Sequence, residues 1–85
     1  MKIINHPSIL DCTHVTIRNG EHPNRIVLRK VDDNYMPYAI HHENMKINGD
    51  NVEHMDFYLG RYFFDLETAT NEFNRSSQGA GRSFR

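Results

Sequence analysis

The hydrophobic positions of this chain change period once, close to Phe64. Before it they recur every second residue in short runs bounded by turn residues; after it they recur every third or fourth. The first run, Lys2 to Asn5, predicts a strand that Pro7 interrupts, and Ser8 to Asp11 reads as a turn or connector. Thr13 to Arg18 alternates, with Val15 and Ile17 on one side and Thr16 and Arg18 on the other, which predicts a second strand. Asn19-Gly20 is a turn pair, extended by His22-Pro23-Asn24. Arg25 to Val31 follows as a strand whose Ile26-Val27-Leu28 centre is apolar on both faces, as a central strand requires. After the Asp32-Asp33-Asn34 turn comes Tyr35 to Glu43, with Pro37 marking an edge, a bulge or the strand start.

Asn48-Gly49-Asp50-Asn51 predicts a hairpin between Met45–Ile47 and Val52–Met55, followed by a strand from Asp56 to Phe64. Simple alternation there sets Met55, Phe57, Leu59, Arg61 and Phe63 against Asp56, Tyr58, Gly60, Tyr62 and Phe64. Gly60 inside the run signals a bulge or a close backbone approach. Asp65 then caps a helix whose Leu66, Ala69 and Phe73 form a narrow apolar stripe, with Glu67 in the first turn and Arg75 near the end, both favourable to the helix dipole. Ser76 to Arg85 lacks an apolar period and reads as a flexible tail. The expected fold is α+β: a small antiparallel sheet of four or five strands with one C-terminal helix packed on a face. Residues 1–75 form the domain and 76–85 the tail.

Length and charge narrow the functions. Eighty-five residues make one domain with a small core. Ten basic residues face eleven acidic ones, so neither the basic excess of a nucleic-acid binder nor the acidic excess of a nucleic-acid mimic is present. A single cysteine, Cys12, excludes a disulfide framework. No apolar run reaches membrane-spanning length, and the start lacks a signal-peptide stretch, so cytoplasmic residence is expected.

The chemistry-bearing residues do not fall into a catalytic pattern. Strand alternation places His41 and Glu43 on one face and His42 on the other. With Cys12, His14 or His54 they supply zinc-type ligands, but without any metal-binding spacing. Cys12 and His14 have no third group, and the carboxylates fit turns and caps. The sequence therefore points to no catalytic residue, cofactor or metal. It points to binding, because Tyr and Arg are the favoured contact residues of protein interfaces. The candidate contacts are Tyr35, Tyr38, Tyr58, Arg61 and Tyr62. A protein partner is expected, self-association as a dimer being one form of it. The alternative is a nucleic-acid regulator that uses an Arg/Tyr face of the sheet, with Arg25, Arg29 and Arg61 sharing that face.

Gly60-Arg61-Tyr62-Phe63 followed by Leu66, Ala69, Phe73 and Arg75 resembles the ends of small uncharacterised proteins carried by phages and plasmids. The resemblance covers about a quarter of the chain and carries no catalytic residues. It implies an accessory protein that binds a host component, as an inhibitor of a defence enzyme or as a regulator.

Overall fold

A computed structural model describes residues 2–79 of the chain. The elements run β1 (Lys2–Ile3), β2 (Ile9–Cys12), β3 (Asn24–Lys30), β4 (Tyr38–Asn48), β5 (Asn51–Phe63) and α1 (Leu66–Gly79). The five strands form one sheet in the order β1-β5-β4-β3-β2, with α1 on one face. The architecture is the expected α+β sheet with a C-terminal helix, except that the sheet is mixed: β1 pairs with β5 in parallel, and the other pairs are antiparallel.

The helix face holds the apolar core. Ile26, Leu28, Ile40, Ala69 and Phe73 are buried together, with Tyr38 and Phe63 packed against them. Asp65 caps α1 as expected, its Oδ2 accepting from the Thr68 N–H at 2.9 Å. Two expectations for the helix are corrected. Leu66 is 45% exposed and leaves the stripe to Ala69 and Phe73. The helix also continues through Ser76–Gly79, which sequence reading placed in a flexible tail. Ser77 is fully buried there, and its hydroxyl donates to the Asn74 carbonyl at 2.9 Å, so a polar residue occupies the next position of the stripe. Arg75 consequently sits inside the helix, paired with Glu72 at 2.7 Å. Residues 80–85 of the expected tail lie outside the described residues.

The second strand is not where alternation put it. Ile9–Cys12 pairs with β3, whereas Thr13 to Arg18 contributes only an isolated bridge from Thr16 to Asn24. Pairing with the long β3 outweighs the weak alternation of Val15 and Ile17. Likewise, Tyr35 to Pro37 stay outside β4, and β4 runs on to Asn48. The two segments expected after the Gly49 turn fuse into one strand, β5, so β4 and β5 form a single long hairpin.

That strand carries two bulges against β4, one between the Asn44 and Met45 pairings and one between those of Ile40 and His42. Each adds a residue to β5 and reverses the side its next residues face. Val52, His54, Phe57 and Tyr62 thus share the face opposite the helix, while Tyr58, Arg61 and Phe63 take the helix face. Simple alternation is overturned for Phe57 and Tyr58. The expected role of Gly60 holds in both forms: it lies in the second bulge, beside Leu59 at a φ of 54°, and a Cβ there would stand 2.4 Å from His41 Nε2.

The face opposite the helix is covered by an N-terminal strap. Ile4 N–H donates to the Val52 carbonyl at one sheet edge, and the Ser8 carbonyl accepts from Lys30 N–H near the other. Four residue steps reach about 14 Å at most. Four strand spacings in a flat sheet span about 19 Å. The sheet therefore curls over the strap, and this concave side buries Val27, Ala39, Met45 and Val52 completely or nearly so.

Candidate functional site

Beneath the strap the sheet buries charge as well as carbon. Arg25 and Glu43 are register partners on β3 and β4. Arg25 is 4% exposed and Glu43 not at all. Arg25 Nε donates to Glu43 Oε1 at 2.6 Å, and His54 Nδ1 donates to Oε2 at 2.8 Å, so both carboxylate oxygens are occupied. The remaining Arg25 nitrogens reach Asn5 Oδ1 on the strap at 3.0 Å and Cys12 Sγ on β2 at 3.3 Å. A single buried guanidinium thus ties four elements together, and it has the hydrogen-bonded partner that a buried charge requires.

A second cluster lies beside it. Phe57 is ringed by His54, His6 and His41 at centroid distances of 4.3, 5.3 and 5.5 Å, and the Arg29 guanidinium lies 3.8 Å over its ring. Arg29 Nε donates to Ser8 Oγ at 2.9 Å, and Arg29 NH1 lies 3.3 Å from His41 Nδ1. An arginine can only donate, so His41 Nδ1 is the acceptor. Burial, and after it the Arg29 charge, hold the His41 imidazole below its ordinary value. The neutral ring then carries its proton on Nε2 and donates it to the Tyr62 hydroxyl at 3.3 Å. His6 Nδ1 accepts from both the backbone and the hydroxyl of Ser8, at 3.1 and 2.8 Å. Its proton affinity is also lowered, by burial first and then by His54 and Arg29, with Glu43 opposing.

The sequence placed His41 and Glu43 on one face, and they are. Of the three further ligands the sequence offered, His54 does join Glu43, but Arg29, Ser8 and His6 were missed as neighbours. The Arg25–Glu43 pair was legible in principle as opposite charges in two adjacent strands, but only once the register was known. Among the described residues no group of three or more His, Cys, Asp or Glu side chains is arranged to hold a metal ion. Two open depressions of about 650 and 440 Å³ are present: one by Gly20, His22 and Tyr58, the other against the Arg25 network itself, lined by Ile3, Asn5, Cys12 and Arg25. Neither contains His41 or Glu43.

The five expected contact residues do not form one patch. Tyr35 is 72% exposed on the turn before β4, held there by Asp33 Oδ1, which accepts from the Tyr35 and Met36 N–H groups at 2.7 and 2.9 Å. Those two bonds hold the Asp33 carboxyl below its usual range. Tyr38 packs against the helix-side core. Tyr58 shares the helix face with Arg61, beside His42 at 5.4 Å. Arg61 bonds within the molecule, to Glu72 at 3.3 Å and the Ser76 hydroxyl at 2.9 Å, with its side chain still about half exposed. Tyr62 lies on the concave face with His41. What the sequence missed is Phe64, 58% exposed and edge-on to Tyr35 at 5.1 Å. The shared face demanded by a nucleic-acid reading is likewise not formed, because Arg25 and Arg29 lie under the strap and Arg61 lies by the helix.

No protein family, curated protein or solved structure matches this chain. Among the described residues no helix is long and apolar enough to cross a membrane.

Proposed function

We propose that this chain is a non-enzymatic protein-binding module whose contact surface centres on Tyr35 and Phe64. The observation that carries the reading is their edge-on pair, more than half exposed on both sides. Single exposed aromatics are common on protein surfaces; two that touch each other are rarer and suit an interface anchor. Both are held in place before any partner arrives. Asp33 fixes the turn that bears Tyr35, and Asp65 caps the helix that starts just after Phe64. Such order lowers the entropy that binding must overcome. The accessory role implied by the phage- and plasmid-type resemblance, inhibition or regulation of a cytoplasmic host protein, fits this surface.

The test is affinity capture from a host lysate with the wild-type chain and with Tyr35→Ser and Phe64→Ser. The expected result is one protein that survives nuclease and high salt and is lost with either variant, while chemical denaturation of the variants shifts by less than about 1 kcal/mol because both side chains are exposed. Capture that is nuclease-sensitive, or that both variants retain, would overturn the reading.

A further inference from the structure

The two arginines of the concave face are satisfied differently. Arg25 has Glu43; Arg29, half-buried, rests on Phe57, Ser8 and His41, none of which is anionic. Two of its five N–H groups are engaged by these partners, and among the described residues the other three make no hydrogen bond. With Glu43 shared between Arg25 and His54, the concave face keeps about one unneutralised positive charge when its histidines are neutral.

The tautomer of His41 adds a second donor. Because Nδ1 accepts from Arg29, Nε2–H donates to the Tyr62 oxygen. The Tyr62 hydroxyl hydrogen is then directed away from His41, on a residue that is half exposed. The free guanidinium edge and this hydroxyl are both donors, and they flank the same imidazole. Ser8 and Phe57 hold the guanidinium in place, so little order is lost when a ligand arrives.

We infer that the Arg29 edge, rimmed by Tyr62, is a binding site for a carboxylate. A planar acceptor of single charge matches a fork of guanidinium donors and one excess positive charge. A phosphate dianion would over-compensate that charge. The carboxylate belongs either to a small acid or to an Asp or Glu side chain of a protein partner. The site stands independently of the Tyr35–Phe64 surface.

The test is an NMR titration of the labelled full chain with sodium acetate, with N-acetyl-glutamate amide, and with sodium phosphate, each against sodium chloride at matched ionic strength. Saturable shifts of the Arg29 Nε–H and of the His41 and Tyr62 ring signals are expected with both carboxylates and not with chloride. Arg29→Gln is expected to abolish them, and Tyr62→Phe to weaken binding about two- to tenfold, the worth of one hydrogen bond. Tyr62→Phe keeps the test decisive if Arg29→Gln fails to fold, since Tyr62 is half exposed. Tighter binding of the glutamate derivative than of acetate assigns the site to a protein side chain, and equal binding assigns it to a small acid. Shifts that chloride reproduces, that phosphate produces more strongly, or that persist unweakened in Tyr62→Phe would overturn the proposal.

Discussion

The two faces of this sheet are built on opposite principles. The helix face is closed by α1 and filled with Ile26, Leu28, Ile40, Ala69 and Phe73, whose contacts are non-directional. The concave face is closed by a few strap residues and interleaves Val27, Ala39, Met45 and Val52 with Arg25, His41 and Glu43. Apolar packing loses energy gradually as atoms are removed. A buried polar network loses it in steps, because each broken bond leaves a desolvated group behind. In a small domain with a thin stability margin, the lightly covered face is therefore the more fragile of the two.

Near-isosteric changes on the two faces put that contrast to the test. Glu43→Gln removes the charge that Arg25 and His54 share, and it is expected to cost about 3–5 kcal/mol. Ile26→Val, one strand away and facing the helix, is expected to cost only about 0.5–1.5 kcal/mol. Urea denaturation of both variants measures the difference, and equal losses would erase the contrast. Pairing Glu43→Leu with Arg25→Met sharpens it: the double variant is expected to recover most of the loss, because neither member of the buried pair is left without the other.

The next effect is steric. Gly60→Ala places a methyl group against the His41 ring, which is bonded to Arg29 and Tyr62. A cost of about 1–3 kcal/mol is expected, together with altered His41 ring signals. An unchanged midpoint would mean that the ring swings aside freely and that the concave face is loosely ordered.

The smallest effect is that of pH. His6 and His41 both accept hydrogen bonds at Nδ1 from groups that only donate, the Ser8 backbone N–H and the Arg29 guanidinium. Their folded-state values lie below the ordinary 6.5. The unfolded chain therefore binds more protons, so stability is fully present above about pH 6.5 and declines as pH falls through the folded values. Thermal melts between pH 7.5 and 5.5 are expected to show a falling midpoint. His6→Gln, whose amide oxygen can still accept from Ser8, is expected to flatten part of that fall. A flat wild-type profile would remove the two histidines from the account.

Legibility in the sequence follows the same division. The helix face announces itself through periodicity and caps: Ile26 and Leu28 in alternation, Ala69 and Phe73 at helical spacing, Asp65 at the N-terminus. The concave face does not. Residues 4–7 form no regular element and leave no period, yet they bring Asn5 over Arg25 and, with Ser8 just beyond, His6 over Phe57. The two bulges in β5 change which side Phe57 faces, and only one of them is signposted, by Gly60. The Arg25–Glu43–His54 network joins residues separated by 18 and 11 positions, so it could not be read before the register was known. Of the expected contact residues, Tyr35 stands 72% exposed on its turn, whereas Arg61, also exposed, is bonded to a carboxylate on the neighbouring helix.

The strap also orders events in time. Lys2 pairs with Asn51, whereas β4 and β5 are joined by a tight turn at Gly49. Closing the long loop costs roughly 2 kcal/mol more chain entropy than closing the hairpin, and contacts far apart in sequence form late. The hairpin is therefore expected to form before the strap docks. Lys2 to Ile4 leave the ribosome well before β5, yet they dock only after Val52 has followed them out.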